Sequence, residues 1–329
     1  MTSRRALLAL AGLAAALPPA WALAQPAARA YRVGMLLPTA KGSTDPKTAG
    51  SLIPAALREL GYVAGGNLVL EQRFAGGQME QLPAMAQELA RIPVDVIVAI
   101  GASAVRAATA ATKTIPIVLY GNIDPVAAGL VSNLARPDGN VTGVLIAPEG
   151  TLAGKKLELL REAVPGVTRI AFLAPDDPGA AGQVREVQRA ATALSVVLAV
   201  TTVEGRDYAR AFAGIAGGRP GALFVAGHTF FVNDRKPVIE LAARYRLPAI
   251  YEWREHVEDG GLMSYGSSLA ATTRRVAVVV DRLLKGAKPG DIPIEQPTSF
   301  ELAINLRTAK ALGLVLPRSL LLRADVVIE

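Results

Sequence analysis

A chain of 329 residues is long enough for two domains of ordinary size, and with 51% apolar residues each can bury a core. It contains no cysteine, which excludes a disulfide scaffold, a thiol nucleophile, a Cys-ligated metal and a lipid-modified N-terminal cysteine. The formal charge of +7 is scattered rather than clustered and aromatics are only 5%, so no nucleic-acid footprint is present and no nucleic-acid partner is expected.

Residues 1–24 differ in kind from the rest. Arg4-Arg5 form a basic start, an apolar run follows over 6–17, Pro18-Pro19 break it, and Ala22-Leu23-Ala24 places small residues two apart before Gln25. That is the pattern of a secretory signal cleaved after Ala24, the other reading being an uncleaved anchor. Cleavage removes two positive charges, Arg4 and Arg5, and takes the net charge from +7 to +5. Ser3-Arg4-Arg5 leaves Sec and twin-arginine export both open. After Gln25 no apolar run approaches the roughly 20 residues that span a bilayer, so the expected location is the periplasm.

Tyr31–Leu37 predicts a first strand, ended by Pro38 and followed by a polar loop over 39–46. Residues 47–60 are helical by spacing, with Leu52, Ala55, Ala56 and Leu60 in one stripe and Gly61 as the stop. A strand is expected over 67–74, a turn at Gly76-Gly77, and an amphipathic helix over 78–92 with Met79, Leu82, Met85 and Leu89 inward. Residues 94–100 are a β-branched apolar run, as in a strand buried on both faces; Gly101 breaks it, and 102–112 is alanine-rich and helical. A second buried strand over 115–120 ends at Gly121-Asn122, and Asp124-Pro125 reads as the capped start of another helix. Residues 133–139 are rich in turn formers, and 141–146 reads as the strand that first crosses into a second lobe.

That lobe is expected to run helix 150–163, strand 167–173, helix 180–193 after the turn Pro175-Asp176-Asp177-Pro178, strand 195–203 and helix 207–216. Residues 220–253 then echo the first lobe: a buried strand ends at Gly227, a helix follows, and a short strand ends at Tyr251 as the earlier one ended at Tyr120. A strand over 260–266 crosses back. Helix 267–284, with Val276, Val279, Val280 and Leu283 buried, leads through a Gly/Pro linker at 285–293 to a strand at 300–306 and a short helix at 308–312. Strands alternating with helices throughout predict an α/β fold of two doubly wound parallel-sheet lobes. Ligands bind such sheets at the C-terminal ends of the strands.

Arg136-Pro137-Asp138-Gly139-Asn140-Val141-Thr142-Gly143, Asp124-Pro125-Val126, the stretch 260–266 and Leu284-Lys285-Gly286-Ala287-Lys288-Pro289-Gly290-Asp291 together resemble a family of bacterial ABC-transporter substrate-binding proteins. The tail, with Gln296-Pro297-Thr298-Ser299-Phe300-Glu301 and Ile304-Asn305-Leu306-Arg307-Thr308-Ala309-Lys310, is similar too. The resemblance covers about Tyr31 to Glu329. It implies the type I periplasmic-binding fold, a hinge of several crossing strands, and a ligand trapped between lobes; some members resemble tryptophan or tyrosine carriers. The lobes it implies are 31–143 with about 264–292, and 144–263 with about 293–329.

The residues expected at the cleft follow the strands. Thr39 and Ser43 lie after the first, and Gly101, Ala102 and Ser103 where a helix N-terminus offers free N–H donors to an anionic group. Asn122 and Asp124 follow the next strand, with Asp124 either a ligand for an ammonium or a plain helix cap. In the second lobe His228 and Thr229 stand where Gly101 and Ala102 stand in the first. Tyr251, Glu252 and Trp253 set two aromatics around a carboxylate, suited to a flat or cationic ligand by stacking and charge, or else to core packing and capping. Tyr265 closes the last crossing strand.

Support for catalysis is poor. The two histidines, His228 and His256, lack metal-ligand spacing, and neither a GxSxG elbow nor a Walker phosphate loop occurs. Asp176-Asp177 reads as part of a capped turn. The expectation is therefore a monomeric exported receptor, without catalytic residues, metal or cofactor. It traps a small molecule, with Tyr251, Glu252 and Trp253 hinting at a ring or a positive group. It serves an ABC permease with a separate ATPase. Feeding a sensor kinase, or acting as an exported hydrolase or isomerase, are the alternatives. No helix-turn-helix precedes Tyr31, against a repressor on the same fold.

Overall fold

The computed structural model describes residues 30–41, 45–147 and 152–329. The leader at 1–24 and Ser43 lie outside the described residues. Two sheets organise the chain. The first holds β1 (Tyr31–Leu37), β2 (Leu68–Phe74), β3 (Val96–Ile100), β4 (Ile117–Gly121) and β5 (Val141–Leu145), all parallel, in the order β2-β1-β3-β4-β5. The second holds β6 (Arg169–Pro175), β7 (Val197–Val203), β8 (Ala222–Val225), β9 (Ala249–Tyr251), β10 (Met263–Gly266), β11 (Glu301–Asn305) and β12 (Val326–Ile328), in the order β12-β11-β10-β9-β8-β6-β7.

The helices are α1 (Ala49–Glu59), α2 (Leu82–Arg91), α3 (Ala102–Ala111), α4 (Leu152–Ala163), α5 (Ala181–Ala193), α6 (Tyr208–Gly217), α7 (Thr229–Asn233), α8 (Arg235–Arg244), α9 (Arg254–Glu258), α10 (Leu269–Leu284), α11 (Leu306–Ala311) and α12 (Arg318–Leu321). The first sheet is buried on both faces, and the strand alternation shows how. Val96, Val98 and Ile100 join one cluster with Ile53 and Leu57 of α1 and Val276 and Val280 of α10. Ile97 and Ala99 point the other way, onto Leu82, Ala86 and Leu89 of α2 and Ala104 and Val105 of α3. That is why these strands read as unbroken apolar runs. In the second lobe one cluster gathers Leu157, Phe172, Phe212, Phe224, Val238 and Ile304.

Three points differ from the sequence reading. β5 is the edge strand of the first sheet, and the chain crosses to the second lobe only after it. Residues 125–129 form turns rather than a helix. Asp124 Oδ1 does accept the Val126 and Ala127 N–H groups at 2.9 and 3.0 Å, but Gly129 takes φ 67° and the chain turns away. β11 runs antiparallel to β10, because the chain leaves the second sheet at Gly266, adds α10 to the first lobe, and re-enters from the opposite end. On that return Glu295 bonds to Gly143 and Leu145 along the edge of β5, so the crossing strand extends the first sheet before β11 joins the second.

No helix among the described residues is long and apolar enough to cross a membrane. Phe172 and Phe224 lie on paired positions of β6 and β8, their rings edge-to-face at 5.3 Å. Phe172→Ala is expected to lower stability by about 3–5 kcal/mol, read as a drop in the urea midpoint with an unchanged slope.

Candidate functional site

Both parallel sheets repeat one strand order. The first is 2-1-3-4-5, and the second, taken as β7-β6-β8-β9-β10, runs the same way before β11 is added. In such sheets successive connections leave to opposite faces at one point, and a crevice opens there beyond the strand ends. In the first lobe that point lies between β1 and β3, hence at Pro38 and Gly101. In the second it lies between β6 and β8, hence at Asp177 and His228. The two points face each other: a Cβ at Gly101 would lie 3.7 Å from Pro38 Cγ and 4.0 Å from Thr229 Oγ1.

The contact across this gap is polar. Ser103, in the first turn of α3, donates its hydroxyl to Asp177 Oδ1. Asp177 Oδ1 also accepts the Gly179 N–H at 2.7 Å, and Oδ2 lies 3.0 Å from His228 Nε2. His228 Nδ1 accepts the Phe230 N–H at 3.3 Å, so the ring proton sits on Nε2 and is donated to Asp177. Burial alone would push the Asp177 carboxyl up. The bonds from His228, Ser103 and Gly179 outweigh it and hold the group below the ordinary carboxylate range.

Around this knot lies a cavity of about 20 Å³, room for about one water molecule, lined by Gly101, Ala102, Asn122, Asp177, Gln183 and Thr229 among others. Thr229 Oγ1 is buried and has no hydrogen-bond partner among the described residues. A groove of about 350 Å³ continues from it past Asn122 and Gln183, between the loop 122–128 and the start of α5. Asp124 lines that groove, its carboxylate already engaged as a turn cap.

Further contacts cross between the lobes. Arg235, almost fully buried and held by Asp259 of its own lobe at 2.8 Å, pairs with Asp45 of the other at 2.6 Å; Lys47 reaches Glu258 at 2.7 Å. Trp253 and Val232, from the second lobe, pack into the apolar cluster of the first beside Tyr120 and Ile146. The lobes are therefore shut upon each other.

Other expected residues stand elsewhere. Tyr251 belongs to the second lobe's core and Trp253 to the interlobe cluster, and neither lines the cavity or the groove. Both rings stack against His256, Tyr251 at 4.7 Å and Trp253 at 6.1 Å. Tyr265 packs on Phe300 at 6.1 Å, and Thr39 is buried after β1 outside the cavity lining. Glu252 is buried against Lys156. Asp177 and Lys156 escaped the sequence reading. Asp177 does cap a turn, and its signal, an acid directly after a strand, fits both a cap and a cleft. Lys156 lies inside a helix and carries no signal at all. Among the described residues no group of three or more His, Asp or Glu side chains could hold a metal.

The model of the ABC transporter substrate binding protein family matches residues 33–328. A tyrosine-binding protein of Clostridioides difficile is 26% identical over 260 residues, 79% of this chain and 74% of its own length. Among solved structures, a conserved domain protein from Vibrio cholerae superposes with a TM-score of 0.80 at 25% identity, covering 91% of this chain and 100% of that one. The ABC domain in complex with L-Trp from Streptococcus pneumonia superposes with a TM-score of 0.77 at 25% identity, covering 90% and 100%.

His256 lends itself to a pH test. Its Nδ1 and Nε2 face the Trp253 and Phe231 carbonyls at 3.2 and 3.1 Å, which favours the charged ring, but complete burial wins and lowers its pKa to about 4. The unfolded chain then takes up this proton near pH 6.5 and the native state only near 4, so stability is full above 6.5 and lost as pH falls. Between pH 7 and pH 5 the loss should be about 2 kcal/mol in urea titrations, and the His256→Gln variant should lose that part of the slope.

Proposed function

Because the chain belongs to the family of ABC transporter substrate binding proteins, we propose that it is a periplasmic receptor whose lobes close on an aromatic amino acid and present it to a membrane permease driven by a separate ATPase. Its relatives are binding proteins, and no reaction is assigned to it. In this reading the leader is cleaved after Ala24 and the receptor acts as a monomer. The moving lobes are the two sheets with their helices, about 31–146 with 267–295 and about 152–266 with 296–329.

The observation that carries the reading is the bond of Asp177 to Ser103 across the gap. It brings a carboxylate to the N-terminus of a helix of ten residues, where free N–H groups and the helix dipole favour an anion. A zwitterion fits between the two. Its ammonium takes Asp177, and its own carboxylate takes the place of Asp177 at Ser103 and the α3 N–H groups. Thr229 Oγ1 then gains a partner. One internal bond is exchanged for contacts to both lobes, which is what a ligand must supply to favour the closed form. The cavity is too small for such a guest while the lobes are this tightly shut, so entry requires them to part.

L-tyrosine or L-tryptophan should raise the thermal midpoint of the mature protein and bind in calorimetry. Asp177→Asn should weaken binding by about thirty-fold, equivalent to about 2 kcal/mol for a charged hydrogen bond, while leaving the ligand-free midpoint within a few degrees. No response to either amino acid at millimolar concentration would sink the reading.

A further inference from the structure

The cavity at Asp177 has room for about one water, so the ring of an aromatic guest has to lie in a neighbouring space. The groove shares Asn122 and Gln183 with the cavity, one amide from each lobe at the neck between the two. Two arginines line the groove beyond that neck. Arg106 stands on α3 one turn past Ser103, and Arg185 on α5 one turn past Gly182. Arg106 Nη2 donates to the Gly179 carbonyl at 3.4 Å, and Arg185 Nη2 lies 4.0 Å from where a Cβ at Gly182 would stand. Gly179 and Gly182 are three residues apart, so guanidinium groups from opposite lobes converge on one end of α5.

The lobes touch at this place: a Cβ at Gly179 would stand 2.8 Å from Ser103 N and 2.9 Å from Ser103 Oγ. Neither arginine has a carboxylate partner among the described residues. The two carboxylates that line the groove are turned elsewhere. Asp124 faces the Val126 and Ala127 N–H groups, and Glu186 accepts the Ala153 N–H at 3.4 Å, with burial pushing its carboxyl up and so lessening its charge. Asp177 Oδ1 is 2.7 Å from Gly179 N and Arg106 Nη2 is 3.4 Å from Gly179 O, so across that one residue the two charged groups are at most about 10 Å apart.

We propose that the groove is a second binding subsite, which takes a negatively charged group at the far end of the ligand's ring between Arg106 of one lobe and Arg185 of the other. The inference rests on the amino-acid reading above and names a ligand class within it: aromatic amino acids that carry a second acid on the ring. An acidic group at the para position lies roughly 7–8 Å from the α-nitrogen, and with hydrogen bonds of about 2.8 Å at both ends it covers the separation from Asp177 to Arg106. Guanidinium groups suit such a guest because they stay charged and offer forked donors that match a carboxylate. An anion held there contacts both lobes, as the α-groups do, and so favours the closed form.

Calorimetry on the wild-type mature protein with L-tyrosine, 4-carboxy-L-phenylalanine and its neutral near-isostere 4-carbamoyl-L-phenylalanine tests this. The carboxy compound should bind roughly five- to ten-fold more tightly than the carbamoyl one, the size expected of two exposed ion pairs. The double variant Arg106→Gln with Arg185→Gln should bring those two affinities within two-fold of each other. Both arginines are exposed, so neither substitution disturbs a core. If the wild type prefers the carboxy compound by less than two-fold, or the double variant keeps the wild-type ratio, the subsite is wrong, and binding of tyrosine leaves the receptor reading standing. If none of the three binds, the aromatic amino-acid reading falls and the subsite with it.

Discussion

A buried carboxylate must have its oxygens hydrogen-bonded, and Asp177 draws its donors from both lobes. Gly179 and His228 belong to its own lobe; Ser103 belongs to the other. Drawing the lobes apart removes the Ser103 hydroxyl, so something else must then donate, whether water or the ammonium of a guest. The same group therefore helps to hold the closed form together and, in the function proposed above, is the one a guest has to satisfy. His228 sharpens the arrangement: with Nδ1 engaged by the Phe230 N–H, its one proton is directed at Asp177.

This carboxylate meets that hydroxyl because of strand order. In each lobe the chain starts at the middle of the sheet, winds outward on one side and then returns to wind on the other, so the second and third strands flank the first. Two such sheets with their carboxyl ends facing set crevice against crevice. The polar residues that follow those strands then form one site, although Ser103, Asp177 and His228 come from separate parts of the chain. Away from the site, the ion pairs of Arg235 and Lys47 and the packing of Trp253 seat one lobe upon the other.

Much of this was legible beforehand, and the exceptions have physical causes. Gly101, Ala102, Asn122, His228 and Thr229 line the cavity because each follows a strand buried on both faces, marked in the sequence by an apolar run ending at glycine, and such strands point their ends at a crevice. Asp177 was passed over because an Asp before Pro looks the same whether it caps a turn or faces a cleft; here it does both. Lys156 was invisible because a lysine within a helix is ordinarily solvated, and only the packing of α4 against β8, β9 and β10 buries it. Tyr251 ends β9 and packs in its own lobe's core, but Trp253 lies beyond the strand at the N-cap of α9, where the chain has already turned, and packs into the neighbouring lobe's cluster.

The sequence by itself determined the local pieces: which runs are buried strands, where glycine and proline stop them, and that strand and helix alternate into two parallel-dominated lobes. Those are matters of hydrophobic period and backbone freedom, which act over a few residues. Only the tertiary structure decided that β5 closes the first sheet, that β11 enters its sheet antiparallel, and that Asp177 faces Ser103 rather than water. Those outcomes depend on the path of the chain between lobes, and no window of neighbouring residues contains that path.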